Sequence, residues 1–245
     1  MLMSRPTEGS VIRVPVIPAI LLSGLTALMG SSQPQAFAQP ICGLSLLLAL
    51  DVSSSVDTEE FALQTGGLAG ALRDPQVRQA IRETGGIQAT ALEWSGRYQQ
   101  ATIAPWALLS SDADILAFAG RIEAHERVFE QFPTALGYAL GHAATRLRNA
   151  PLQCARAVID VSGDGVNNEG FEPVLAYRNF DFSNVTVNGL VIQGADPDPV
   201  SYYQSEVAYG PGAFVIVAAE FKDYETAMKQ KLLREIYGAS LARID

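Results

Sequence analysis

The sequence predicts an α/β fold: a doubly wound, mainly parallel six-stranded sheet with helices on both faces and one antiparallel edge strand. Three observations predict it. Short runs that are apolar on both faces alternate with helix-length segments, the pattern of a sheet covered on both sides. No linker, low-complexity stretch or internal repeat divides residues 39–245. Small polar and acidic residues crowd the carboxyl ends of the apolar runs, where doubly wound folds bind ligands.

The elements follow in order. Leu44–Leu50 is a continuous apolar run of strand length. Thr58–Leu72 reads as a helix, capped by Asp57 or Thr58, with Glu59 and Glu60 in a first turn that favours negative charge. Ile87–Trp94 is a strand after Gly85-Gly86. Gln99–Leu108 is a second extended segment, a hairpin partner across Ser95-Gly96-Arg97. Asp112–Ala124 and Thr134–Asn149 read as helices, and Ala155–Val161 as a short buried strand. Phe171–Phe180 is helical, Val185–Ile192 a strand, Ser201–Val207 a short helix, Ala213–Ala218 a strand and Tyr224–Tyr237 a helix.

Composition narrows the functions. The 245 residues carry a formal net charge of −9, against nucleic acid or anionic lipid as a partner. Two His and two Cys exclude multi-zinc sites, most iron–sulfur clusters and a disulfide-dense scaffold. A 48% apolar content is too high for a disordered chain.

The first 38 residues read as an export signal rather than as part of the fold. Arg5 and Arg13 precede an apolar run from Val14 to Met29, followed by Gly30-Ser31-Ser32 and Ala36-Phe37-Ala38. This is the order of a secretory signal peptide, with cleavage expected after Ala38. The run is shorter than the roughly 20 residues that span a bilayer, and Pro15 and Pro18 weaken it as a permanent helix. The alternative is an uncleaved anchor. Cleavage removes two Arg and one Glu, leaving a single domain of residues 39–245 with a charge of −10 and no membrane span. The expected location is periplasmic or secreted, where both Cys meet an oxidising environment.

The chemistry-bearing residues cluster after the first and fourth strands. Asp51-Val52-Ser53-Ser54-Ser55 follows Leu50, and a bend there can bring the oxygens of Asp51, Ser53 and Ser55 together. Ser162-Gly163-Asp164-Gly165 follows Val161, with glycines that permit tight turning beside Asp164. Thr134 opens a helix after Pro133, where its hydroxyl can face the same crevice. Two carboxylates and three hydroxyls form a hard oxygen set, suited to Mg²⁺, with Mn²⁺ or Ca²⁺ as alternatives, rather than zinc or copper.

The pattern Asp51-x-Ser53-x-Ser55, Thr134, Asp164-Gly165 resembles the metal-ion-dependent adhesion site (MIDAS) of von Willebrand factor A domains. The order of strands and helices agrees over roughly residues 42–238. More narrowly, Glu93-Trp94-Ser95-Gly96, Val161-Ser162-Gly163-Asp164-Gly165-Val166-Asn167-Asn168 and Gly210-Pro211-Gly212-Ala213-Phe214 resemble DUF1194, a bacterial family of secreted A-domain-like proteins of unknown function. The resemblance implies that Asp51, Ser53 and Ser55 hold the ion directly or through water. Thr134 would join in some states, Asp164 would act through water, and a protein partner's Asp or Glu would complete the coordination. Glu130-Gln131-Phe132-Pro133 departs from the glycine-rich approach to the threonine common in A domains.

The resemblance also bears on the cysteines. If the first and fourth strands are neighbours, as in A domains, Cys42 and Cys154 fall together at the sheet end opposite the site, and a disulfide is expected. Glu93 and Asp160 are acidic residues within apolar strands. Either could support the metal ligands from behind, or serve as a structural buried carboxylate; Asp160 could hydrogen-bond backbone or pair with an Arg. His125 and His142 stand alone in their segments and read as exposed or capped histidines. Asp196 and Asp198 read as a solvated turn, and Tyr202, Tyr203 and Tyr209 as packing or interface residues.

The leading expectation is a secreted, metal-dependent protein-binding module in which a divalent cation bridges the domain to a partner carboxylate. The alternative is a metal-assisted hydrolase, for which Glu93 is the one candidate base. A scaffold with an empty, degenerate site is the third reading.

Overall fold

The structure is a computed structural model and describes residues 42–238. The proposed signal segment, 1–38, lies outside the described residues. Among those described, six strands form one sheet in the order β3-β2-β1-β4-β5-β6. These are β1 (Cys42–Asp51), β2 (Ile87–Trp94), β3 (Gln100–Leu109), β4 (Cys154–Gly163), β5 (Val185–Ile192) and β6 (Val215–Ala218). All neighbouring pairs are parallel except β2 with β3, so β3 is the antiparallel edge strand.

Strand β1 sits centrally and its side chains alternate between two cores. Leu44, Leu46, Leu48 and Leu50 face one side, with α1 (Thr58–Arg73), α2 (Pro75–Glu83), α3 (Asp112–Glu123) and α7 (Tyr224–Tyr237). Leu47 and Ala49 face the other, with α4 (Leu136–Arg148) and α5 (Pro173–Asn179). This is why the sequence shows an apolar run interrupted only by Ser45: both faces of the strand are removed from water. Each fully buried leucine contributes about 1.5–3 kcal/mol.

Helix α1 starts where the cluster of Asp51, Ser53 and Ser55 ends. Asp57 Oδ1 accepts from the Glu60 backbone N–H and Glu60 Oε2 accepts from the Asp57 N–H, both at 2.8 Å. This reciprocal cap fixes the direction in which the loop leaves β1. Gly67 lets α7 approach α1 closely, since a Cβ there would lie 2.9 Å from Tyr224 Cδ1.

Several elements differ from the sequence expectation. Helix α2 is an addition to it, although Asp74 caps this helix through the Gln76 N–H and Pro75 occupies its first turn. Helix α4 begins at Leu136, so Thr134 precedes it rather than opening it, and no side chain caps it. The segment expected as one helix over Ser201–Val207 is a short helix α6 (Pro199–Tyr202) continuing into a π-helical turn, Tyr203–Val207. β6 is shorter than expected, because Gly210 and Gly212, both at positive φ, bend the chain before it.

Cys42 and Cys154 are directly paired across β1 and β4, with Cα atoms 4.7 Å apart, and form a disulfide. Asp51 closes β1 at the other end. The bond closes a loop of sequence separation 112, worth about 4–5 kcal/mol in the chain-entropy view. Among the described residues no helix is long and apolar enough to cross a membrane.

Candidate metal centre

The carboxyl ends of β1 and β4 carry the cluster. Asp51 is the last residue of β1 and fully buried. Its Oδ1 accepts from the Ser53 backbone N–H at 2.8 Å, a turn that folds the loop back over the strand end. Ser53 Oγ lies 3.2 Å from Ser55 Oγ, and Ser55 Oγ donates to Asp164 Oδ1 at 2.8 Å. The alternating residues read from the sequence therefore form one chain of oxygens linking β1 to the turn after β4. Ser53 is buried, Asp164 half-buried and Ser55 exposed, so the chain runs from the core to the surface.

Thr134 lies beside the same turn. Its Oγ1 is 3.8 Å from where a Cβ on Gly165 would stand. Asn168 brackets it: Asn168 Oδ1 accepts from the Thr134 N–H at 2.8 Å, and the Asn168 N–H donates back to Thr134 O at 2.9 Å. Asn168 falls within a family-like stretch of sequence, but nothing in its local pattern signals this contact.

Arg127 is the residue that sequence reasoning missed most completely. Its guanidinium donates to the carbonyl oxygens of Val52 (2.6 Å), Ser53 (3.1 Å) and Val56 (2.8 Å), and to Phe129 O (2.8 Å). It pins the backbone between Asp51 and α1 to the segment leading to Thr134. The Ser54 N–H donates to Phe132 O and adds to the same junction.

Glu93 is fully buried and supports that segment rather than the cluster itself. Its Oε1 accepts from the Val128 and Phe129 N–H groups at 2.9 and 3.0 Å, and its Oε2 is hydrogen-bonded to His125 Nε2 at 2.8 Å. Of the two readings His125 takes the capped one: its Nε2 is held by Glu93 and its ring packs against the edge of Phe61. Asp160 lies elsewhere, beneath α7. Its Oδ1 meets Lys231 Nζ at 2.7 Å, and Lys231 also meets Glu235 Oε1 at 2.8 Å, all three buried. The partner is a lysine rather than an arginine or the backbone.

The electrostatics of the cluster favour a cation. Burial, and next the Asp164 carboxylate, push the Asp51 carboxyl up to about 8. Burial likewise raises Asp164. Asp51 Oδ2 is buried without a hydrogen-bond partner. An unmatched acceptor beside a second carboxylate fits a bound hard cation, because such an ion would neutralise both groups and occupy the orphaned lone pairs. Among the described residues no group of three His, Cys, Asp or Glu could hold a metal ion, so a cation here would rest on two carboxylates and hydroxyls.

A sheet of this order, with a polar cluster at its switch point, defines a von Willebrand factor A-like domain. The chain belongs to the family described as "Protein of unknown function (DUF1194)", whose model matches residues 41–240. Among solved structures it is similar to proximal thread matrix protein 1 from the mussel byssus, with zinc occupying its MIDAS motif (17% identity, TM-score 0.57, covering 80% of this chain and 49% of that one). It is similar to a von Willebrand factor type A protein from Catenulispora acidiphila (13%, TM-score 0.59, 80% and 43%). It is also similar to an aerotolerance-related membrane protein from Bacteroides fragilis (18%, TM-score 0.51, 78% and 98%). The chain spans less than half the length of the first two. At these identities the likeness shows the fold. No curated protein matches the chain.

Proposed function

We propose that this chain is a divalent-cation-dependent protein-binding module. The observation that carries the reading is the buried, unpartnered Oδ2 of Asp51 at the head of the oxygen chain through Ser53, Ser55 and Asp164. Asp51, Ser53, Ser55, Thr134 and Asp164 would hold the ion. Mg²⁺ suits the all-oxygen set, with Mn²⁺ or Ca²⁺ as alternatives. A similar fold whose MIDAS motif holds zinc supports a divalent site in this position. A bound ion would offer a coordination position to an Asp or Glu carboxylate of a partner protein.

The surface beside the cluster suggests what surrounds that carboxylate. A cleft of about 630 Å³ runs from Ser55 and Asp164 past Asp57, Glu59 and Glu220. Its one lysine, Lys222, is paired with Glu220 at 2.7 Å. A partner whose carboxylate is flanked by Lys or Arg complements it. We further propose a periplasmic or secreted domain of residues 39–245, released from a signal segment cleaved after Ala38. The disulfide fits an oxidising compartment.

The hydrolase reading has less support. Its candidate base, Glu93, spends both oxygens on His125 and two backbone N–H groups.

Capture of envelope proteins on the immobilised domain tests the reading. A partner bound in Mg²⁺ and released by EDTA is expected. The same bound set under both conditions contradicts it.

A further inference from the structure

Among the buried polar atoms of the described residues that lack hydrogen-bond partners, two lie against Gly163: Asp51 Oδ2 and the hydroxyl of Tyr203. Both residues are fully buried, yet they come from distant parts of the chain. Asp51 ends β1, and Tyr203 begins the π-helical turn that follows β5. Between them lies Gly163, the last residue of β4. A Cβ on Gly163 would stand 2.5 Å from the Tyr203 hydroxyl and 2.8 Å from Asp51 Oδ2. Both orphaned atoms therefore border the one small space that the missing side chain leaves open. A second missing side chain seats the ring, since a Cβ on Gly189 would lie 2.7 Å from Tyr203 Cδ1.

The chemistry of the two atoms is complementary. A phenol keeps its proton at neutral pH and donates one hydrogen bond, and a carboxylate oxygen accepts. Leaving both buried and unmatched is costly. A polar space between two such groups is also where a buried water finds partners.

We infer that Tyr203 is a positioning residue of the cation site, its hydroxyl donating to one lone pair of Asp51 Oδ2, directly or through one water, and leaving the other to the ion. This rests on the cation-binding reading of Asp51. It also explains the π-helical turn, which carries a phenol to the back of the carboxylate and fixes which way that carboxylate faces. Groups that orient a metal ligand from behind typically change affinity about 10–100-fold when removed.

Calorimetric titration of the metal-stripped protein with Mg²⁺ alone, in wild type, Tyr203→Phe and Gly163→Ala, tests this. Tyr203→Phe keeps the ring and removes only the hydroxyl. It is expected to bind Mg²⁺ about 10–100-fold more weakly while still folding and melting cooperatively without metal. Gly163→Ala keeps the hydroxyl but fills the space, and is expected to weaken binding similarly. Mg²⁺ should also perturb the tyrosine ultraviolet spectrum of the wild type, a signal that a merely packed ring would not give and that Tyr203→Phe should lose. Wild-type affinity in Tyr203→Phe, with its spectral change intact, overturns the role of Tyr203 and leaves the cation site standing. No Mg²⁺ binding by the wild type overturns both.

Discussion

Ser55 Oγ donates to Asp164 Oδ1 at 2.8 Å across 109 positions of sequence. That bond joins the loop after β1 to the turn after β4. Because Asp51 heads the same chain of oxygens, the first residue of the motif should control what the whole group can bind.

Asp51→Asn removes the buried ionisable group but keeps the shape. Thermal melts of the metal-free variant are expected at or above the wild-type Tm, because the residue no longer carries a carboxylate that burial disfavours. Addition of Mg²⁺ should stabilise only the wild type. At about a hundredfold over its Kd the ion adds about 2.7 kcal/mol. An equal rise in both proteins would contradict the assignment.

The metal-free protein should lose stability as pH rises from about 4 towards 8. The sign follows from Asp51, whose folded-state carboxyl is raised to about 8, first by burial and then by Asp164. An unfolded Asp releases its proton near pH ~4, so between these values the folded state holds more protons and is disfavoured by rising pH. Saturating Mg²⁺ displaces that proton and should flatten or reverse the trend. Melts across this range in EDTA and in Mg²⁺ read the difference.

Arg127→Ala leaves the carbonyls of Val52, Ser53 and Val56 without their shared donor. A stability loss on the order of 2–3 kcal/mol is expected from the lost charged hydrogen bonds, together with weaker Mg²⁺ binding because the loop loosens. Denaturant unfolding and a parallel titration measure both. Arg127→Lys should recover part of the stability, since one ammonium cannot span the carbonyls as a guanidinium fork does.

Lys231→Met leaves Asp160 and Glu235 buried without their cation. Breaking such a group by removing one member costs about 3–5 kcal/mol. The triple variant Lys231→Met, Asp160→Asn, Glu235→Gln should recover much of this, which chemical denaturation can follow.

The disulfide provides a control at the other end of the sheet. Cys42→Ser with Cys154→Ser should cost about 4–5 kcal/mol. Mg²⁺ affinity should hold, because Cys42 and Asp51 are the two ends of a ten-residue strand, about 30 Å apart. Two free thiols in the oxidised, denatured protein would contradict the bond.

Sequence made the sheet readable because its strands are buried on both faces, which leaves runs such as Leu44–Leu50 with little polar interruption. Asp51, Ser53 and Ser55 could be grouped because they are neighbours in the chain. Helix α2 escaped because its amphipathic stretch is short, although Asp74-Pro75 carried a readable start signal. Arg127, the Glu93–His125 pair and Tyr203 were out of reach for a different reason. Each depends on where a distant backbone arrives: Arg127 on carbonyls over 70 positions away, His125 on a strand 32 positions back, and Tyr203 on the space at Gly163. No local spacing encodes such meetings.

Cation binding at Asp51 is decided by a calorimetric titration of the metal-stripped chain with Mg²⁺, set beside Asp51→Ala. Saturable binding at one site per chain, absent from the variant, is the expected outcome. No heat of binding with Mg²⁺, Mn²⁺ or Ca²⁺ at millimolar concentration, in a wild type that melts cooperatively, would contradict a cation-dependent module.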